Sequence, residues 1–220
     1  MMLLHESNTQ KYRQLLIVLI VLFLLSPFLK AGIGSVISDV LLLSSIILIV
    51  RSLTLSRRLL FIYIAIASLA FSLQLNINLG WDPSLNQAFD LMFQTVLSLY
   101  IGGAAYLIGR EILKAPKITA DIVQGGISVY LLIGFAWALF YGIVATLDPN
   151  AFSQSLLIQD AHIKAFHFSF TTLTTLGYGD IVPVSEFALV LTNLEAIIGQ
   201  IYPAVFMAVL VGGYLGHRSH

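Results

Sequence analysis

The feature that most constrains this chain is a short polar interruption, Thr174-Thr175-Leu176-Gly177-Tyr178-Gly179-Asp180, set between two long apolar runs, Ile122–Leu147 and Phe187–Leu215. Each run is long enough to cross the hydrocarbon core of a bilayer, which takes roughly 20 apolar residues. Between them, the stretch from Asp160 to Thr175 is too short and too polar to cross. It reads as a helix that enters the membrane and turns back, with Asp160 as its N-cap. Irregular backbone at membrane depth is tolerated only where it is buried in protein or lines a cavity. The chain must therefore hold a short helix and a glycine-bearing loop between two spanning helices.

Four further apolar segments precede this pair, at Leu15–Leu29, Ile33–Val50, Leu59–Leu75 and Ala88–Ile108. The first two are short and need flanking residues to complete a span. Hydrophobic residues make up 58% of the 220 positions and charged residues 10%, where a soluble domain carries about 25% charge. Lys11 and Arg13 ahead of the first run look like the start of a secretory leader, but Ser26-Pro27-Phe28-Leu29-Lys30 stands where a small-residue cleavage site belongs. The run is read as a retained first span. A formal net charge of zero offers no basic field for nucleic acid. The absence of cysteine excludes disulfides, thiolate metal sites and cysteine nucleophiles. The expected fold is an all-α membrane protein of six transmembrane helices, with a re-entrant helix and loop between helices 5 and 6.

Loop charges give the orientation. Lys11 and Arg13, then Arg51, Arg57 and Arg58, then Arg110, Lys114 and Lys117, and finally Arg218 fall in alternate loops. The intervening loops hold Lys30, Trp81-Asp82-Pro83, and Asp148 with Lys164. An excess of cytoplasmic basic residues puts both termini in the cytoplasm and the Gly179-Asp180 end of the loop outside. Proline and charge at Lys114-Ala115-Pro116-Lys117 break the apolar pattern, dividing a four-helix unit (1–113) from a unit holding the re-entrant segment (114–220). The fourth span, Phe89 to Tyr100, has no lysine or arginine before Arg110, and Asp39 lies near the outer end of the second. Spans two and three thus lack a mid-membrane acidic partner, and strong voltage sensing is not expected, because it needs charge that moves through the field. Only a few residues follow the last span, so no soluble ligand domain is expected, and His217 and His220 beside Arg218 read as solvated.

The loop has its own chemistry. Gly177 and Gly179 allow backbone angles that aim successive carbonyl oxygens at one axis, and such a row replaces the hydration shell of a permeating cation. Thr175 adds a hydroxyl oxygen at the inner end, and the Tyr178 ring wedges the strand from behind. Thr175-Leu176-Gly177-Tyr178-Gly179, followed by Asp180, resembles the T-x-G-Y-G filter of the potassium channel superfamily, with Leu176 where valine is commonest. The resemblance is specific over Asp160–Gly216 and only architectural before residue 114. It implies passive potassium conduction, with K+ held at Thr175, Leu176, Gly177, Tyr178 and Gly179, and no enzymatic step or cofactor. One filter strand cannot encircle an ion and the chain carries a single motif, so a homotetramer is implied. The expected partners are its own copies, the lipid bilayer and K+. The expected location is the plasma membrane of a prokaryote, the bacterial inner membrane.

The resemblance also assigns roles around the filter. Phe166 to Thr172 would form the pore helix, with His167 and Phe168 where family members carry aromatic residues that brace the filter tyrosine. Thr171 stands where some bacterial channels place a carboxylate. His167 is read either as a partner of Asp180 or Tyr178 or as an ordinary structural histidine. Gly199, 20 residues after Gly179, matches a frequent gating-hinge position. Pro203 follows one turn later, and Met207 and Val211 continue that inner-pore face. Gly199 and Gly212-Gly213 equally permit close helix packing. Glu195, a carboxylate well inside the last span, either pairs with a neighbour or sits behind the filter.

Three other readings compete. A non-selective cation channel would share the fold. An intramembrane aspartyl protease would use Gly177-Tyr178-Gly179-Asp180 and Phe89-Asp90 as two carboxylates sharing a proton. Both aspartates fall at the outer edge, the motif lies in the re-entrant loop, and the Pro-Ala-Leu element of that family is absent. A transporter of four linked pore-like repeats would need four filter segments.

Overall fold

The computed structural model describes residues 11–25, 44–45, 47–49, 57–79, 86–115, 117–156 and 161–216. Lys30, Asp39, Arg51, Trp81, Asp160, His217 and His220 lie outside the described residues, as does most of the second apolar segment. Six helices carry the described chain: α1 (Lys11–Leu25), α2 (Arg57–Leu79), α3 (Asn86–Leu113), α4 (Ala120–Leu147), α5 (Ala161–Leu173) and α6 (Glu186–Gly216). Among the described residues no strand forms, and the extended pairing is one isolated antiparallel bridge, Phe152 to Pro183. Three helices, α3, α4 and α6, are long and apolar enough to cross a membrane. They coincide with the fourth, fifth and sixth apolar segments of the sequence.

Local chemistry sets the helix starts. Thr119 Oγ1 accepts the Ile122 amide at 3.3 Å at the start of α4. Ser185 Oγ accepts the Ala188 amide at 3.2 Å at the start of α6. Glu186 adds negative charge in that first turn, where the helix dipole favours it. The start of α1 is capped from a distance: the Asp121 carboxylate accepts the amides of Tyr12 at 3.1 Å and Arg13 at 3.2 Å.

Two compact units divide the described residues. One gathers those up to Ile64, Gly103–Leu132 and those from Val205 onward. Small residues let its helices meet closely. A Cβ at Gly125 would sit 3.0 Å from the Tyr12 ring, and one at Gly126 would overlap the Phe206 ring. Tyr12, Leu15, Ile108, Ile112 and Leu132 are buried there, and Lys11 pairs with Glu111 at 2.5 Å.

The other unit comprises Ala65–Gly102 and Ile133–Ala204. Its core is an aromatic triangle of Tyr141, Phe152 and Phe168, with ring centroids 5.6, 4.8 and 5.3 Å apart. Val144, Ala145, Leu156, Ile181, Ala188 and Leu191 pack around it. Rings in edge-to-face contact add to the stabilisation from buried area alone. The segment after α4 is tied to the stretch that precedes α6. Ser153 donates its amide to the Val182 carbonyl at 2.9 Å, and Val184 donates to Ala151 at 2.7 Å. Ser153 Oγ accepts the Val182 amide at 3.0 Å.

Candidate functional site

The loop 174–180 hangs from the C-terminal end of α5. The Thr171 carbonyl accepts two amides, Leu176 at 2.8 Å and Gly177 at 3.1 Å, while Thr175 donates to Thr172 at 2.9 Å. Three φ angles are positive, at Thr175 (58°), Gly177 (53°) and Gly179 (77°), and Leu176 and Tyr178 between them are not. In an ordinary extended strand, carbonyls point alternately to opposite sides. Reversing the sign of φ at every second residue turns the peptide planes so that carbonyls share a side. Glycine adopts that conformation without penalty, whereas a β-branched threonine does so against steric cost. Among the described residues, Thr175 is the one non-glycine that adopts it. Strain of this kind persists where surroundings over-determine it, and here Gln200 Nε2 donates to Thr175 Oγ1 at 2.9 Å.

At the Asp180 end of the loop, His167 Nε2 lies 2.9 Å from Asp180 Oδ2. The same imidazole stacks on the Tyr178 ring, with centroids 5.7 Å apart and planes 5° from parallel. Gln154 Nε2 donates to the Asp180 carbonyl at 2.9 Å. Desolvation opposes ionisation of the Asp180 carboxyl, but the amides of Asp180 and Ile181 and the His167 ring together hold it below the usual carboxylate range. Phe168 packs in the aromatic triangle with Tyr141 and Phe152. Thr171 turns its hydroxyl onto its own helix, donating to the Phe168 carbonyl at 3.0 Å; its backbone oxygen is what holds the loop.

At the other end of the loop, a Cβ at Gly199 would overlap the Leu173 carbonyl oxygen, so the bare backbone of α6 meets the end of α5 there. Pro203 lies within α6, which continues through it to Gly216; the proline has no N–H to offer the Gly199 carbonyl one turn earlier. Met207 is exposed, and the Val211 side chain lies outside the described residues. Glu195 is fully buried. It accepts hydrogen bonds from Tyr141 Oη at 2.5 Å and Ser169 Oγ at 2.6 Å. Asp90 accepts from Gln94 Nε2 at 2.7 Å, so this aspartate and Asp180 each have separate partners.

Four of these contacts escape the sequence reading: Tyr141, Gln154, Ser169 and Gln200. Ser169 leaves a trace, as the hydroxyl among Phe166, Phe168 and Phe170 on a short helix. Gln200 directly follows Gly199, and a polar side chain at that depth signals a partner. Tyr141 and Gln154 carry no such mark.

Residues 129–212 match the ion channel family, a stretch that takes in α5, the loop 174–180 and nearly all of α6. Over that stretch the chain is similar to ion channels. It is similar to the voltage-gated potassium channel Kch of Escherichia coli, at 29% identity over 125 residues. That alignment covers 56% of this chain and 29% of the relative, so the chain spans under a third of the length of the curated relative it matches. No solved structure matches the chain. The match to the ion channel family points away from an enzymatic step, and Asp90 and Asp180, each bonded to its own partner, do not form the pair that the paired-aspartate reading needs.

Proposed function

We propose that this protein is a potassium-selective channel that conducts K+ passively as a homotetramer. The observation that carries the reading is the alternation of positive φ at Thr175, Gly177 and Gly179 in a loop hung from the Thr171 carbonyl. Carbonyl oxygens of Thr175, Leu176, Gly177, Tyr178 and Gly179 then replace water around the ion. His167 and Asp180 brace the outer mouth, with Phe168 and Thr171 behind them. Gly199, Pro203, Met207 and Val211 line the inner pore, Gly199 acting as the hinge.

Exposure within the single chain supports assembly. Leu176 is 57% and Tyr178 67% exposed. Only 11% of the spanning stretch of α6 is buried, against 44% for α3 and α4. Four copies around one axis close the ring and cover that helix. The full architecture is six spans with a re-entrant α5, a scaffold at 1–113 and a pore unit at 114–220. Both termini lie in the cytoplasm, and the membrane is the bacterial inner membrane.

Flux of K+ and Na+ through purified protein in liposomes, with barium block as a control, tests the reading. Potassium-selective, barium-sensitive flux is expected. Equal flux of both ions would replace it with a non-selective cation channel of the same fold.

A further inference from the structure

We propose that Glu195 is a positioning residue of the filter: a buried clamp that fixes α5 between α4 and α6 and so sets the register of the loop. The inference rests on the potassium-channel reading and adds which residues hold that filter in place. A carboxylate taken out of water is costly unless it is well bonded, and Glu195 is fully buried. Its partners are two hydroxyls from two different helices, Tyr141 on α4 and Ser169 on α5. The Ser169 hydroxyl also lies 2.9 Å from the Gly134 carbonyl of α4. One carboxylate on α6 therefore ties three helices together.

The place of that knot gives it leverage. Ser169 meets Glu195, and four residues on in both helices Leu173 meets Gly199. The two helices thus share a fixed register over one full turn. Within that turn lies Thr171, whose carbonyl holds the amides of Leu176 and Gly177. Immediately beyond it, Gln200 holds Thr175 Oγ1. Rotation of α5 relative to α6 would move the Thr171 carbonyl while Gln200 kept its grip on Thr175, and the alternating backbone would be pulled out of line. Thr171 bonds only within its own helix through its side chain, so it supplies no competing restraint. The aromatic triangle holds one face of α5 through Phe168, and Glu195 holds the adjacent face through Ser169.

A carboxylate that merely glued α4 to α6 would affect stability and leave ion discrimination untouched. The test therefore reads the K+/Na+ permeability ratio and the barium concentration for half block in liposomes, alongside the oligomer on size-exclusion chromatography. Glu195→Leu and Ser169→Ala are each expected to lower the ratio about tenfold, the scale set by losing one buried hydrogen bond. Glu195→Gln, which keeps the shape and an acceptor oxygen, is expected to restore most of the loss. The double variant Ser169→Ala with Glu195→Leu is expected to fall no further than either single change, because both cut the same link. An assembled Glu195→Leu protein with wild-type ratio and barium block overturns the proposal, as do losses that multiply in the double variant. Should Glu195→Leu not assemble, a wild-type ratio in Ser169→Ala overturns it alone. Wild-type protein without selective flux defeats the channel reading itself, an outcome distinct from selective wild type with selective variants.

Discussion

At the scale of single residues, the proposed filter is legible because its chemistry demands glycine at fixed spacing, and Gly177 and Gly179 both take positive φ. Thr175 is not legible in the same way: nothing in a β-branched side chain announces a left-handed backbone, and its restraint comes from Gln200, 25 residues away. Sequence leaves Gly199 open between hinge and packing, and the close approach to the Leu173 carbonyl is a packing reason for the glycine. Gly199→Ala is expected to cost about 1–3 kcal/mol, since backbone cannot yield to a new Cβ as a flexible side chain can. Gly212 has open space around it within the chain. Gly212→Ala is therefore expected to be neutral or to stabilise α6 by up to about 1 kcal/mol. Thermal melting of the two purified variants compares them directly, and equal melting temperatures would contradict the packing role. His167→Phe keeps a ring against Tyr178 and removes the partner of Asp180. The Asp180 carboxyl lies below its ordinary value, so its bonded form is complete at neutral pH and is lost as pH falls through that depressed value. Without His167 the acid loss of conduction should move to higher pH, toward the ordinary aspartate range near about 4. External pH titration of flux reads the shift, and an unmoved midpoint would show that the pair does not support the filter.

Among the elements, the long helices are the readable ones. Length and apolarity alone identify α3, α4 and α6, because a bilayer asks for little else. The extent of α1 is another matter. Its apolar run begins at Leu15, yet Lys11 is already helical, and a carboxylate 109 residues away in sequence accepts the Tyr12 amide. No local pattern reports such a cap. Asp121→Ala removes the acceptor for both the Tyr12 and Arg13 amides and is expected to destabilise the protein by about 1–2 kcal/mol. Asp121→Asn should recover part of that loss through its amide oxygen. Melting temperatures in detergent decide, and a wild-type value for the alanine variant would show that the cap carries no stability. The segment after α4 is equally hidden from sequence. Ala151 and Ser153 hold the stretch that follows Asp180 chiefly through backbone bonds to Val182 and Val184, and backbone pairing of irregular segments leaves little compositional mark.

For the whole molecule, the proposed assembly and the missing charge ladder make one joint demand on the current. A voltage sensor works by moving charge across the membrane, and each elementary charge crossing the full field contributes about 2.3 kcal/mol per 100 mV. In the spanning helix nearest the pore unit in sequence, α3, the basic residue is Arg110, in the last turn. Asp90 lies near the opposite end and is bonded within the same helix to Gln94. Neither is placed to travel far through the field. A single charge crossing entirely would change the open-to-closed ratio roughly fiftyfold over 100 mV. The ratio for this channel should change by less than that, in contrast to the voltage gating named for its Escherichia coli relative. Single-channel recording in planar bilayers, with the oligomer size established beforehand, measures the slope. A shallow slope would leave α1 to α3 as a scaffold around a pore governed at the filter or the inner helix. A steep one would require charge movement elsewhere, with α6 and the loop it carries as the next place to look. Comparing the slope in the Glu195→Gln variant would then separate gating at the filter from gating by the scaffold, because that change touches the clamp on α5 and leaves α3 as it was.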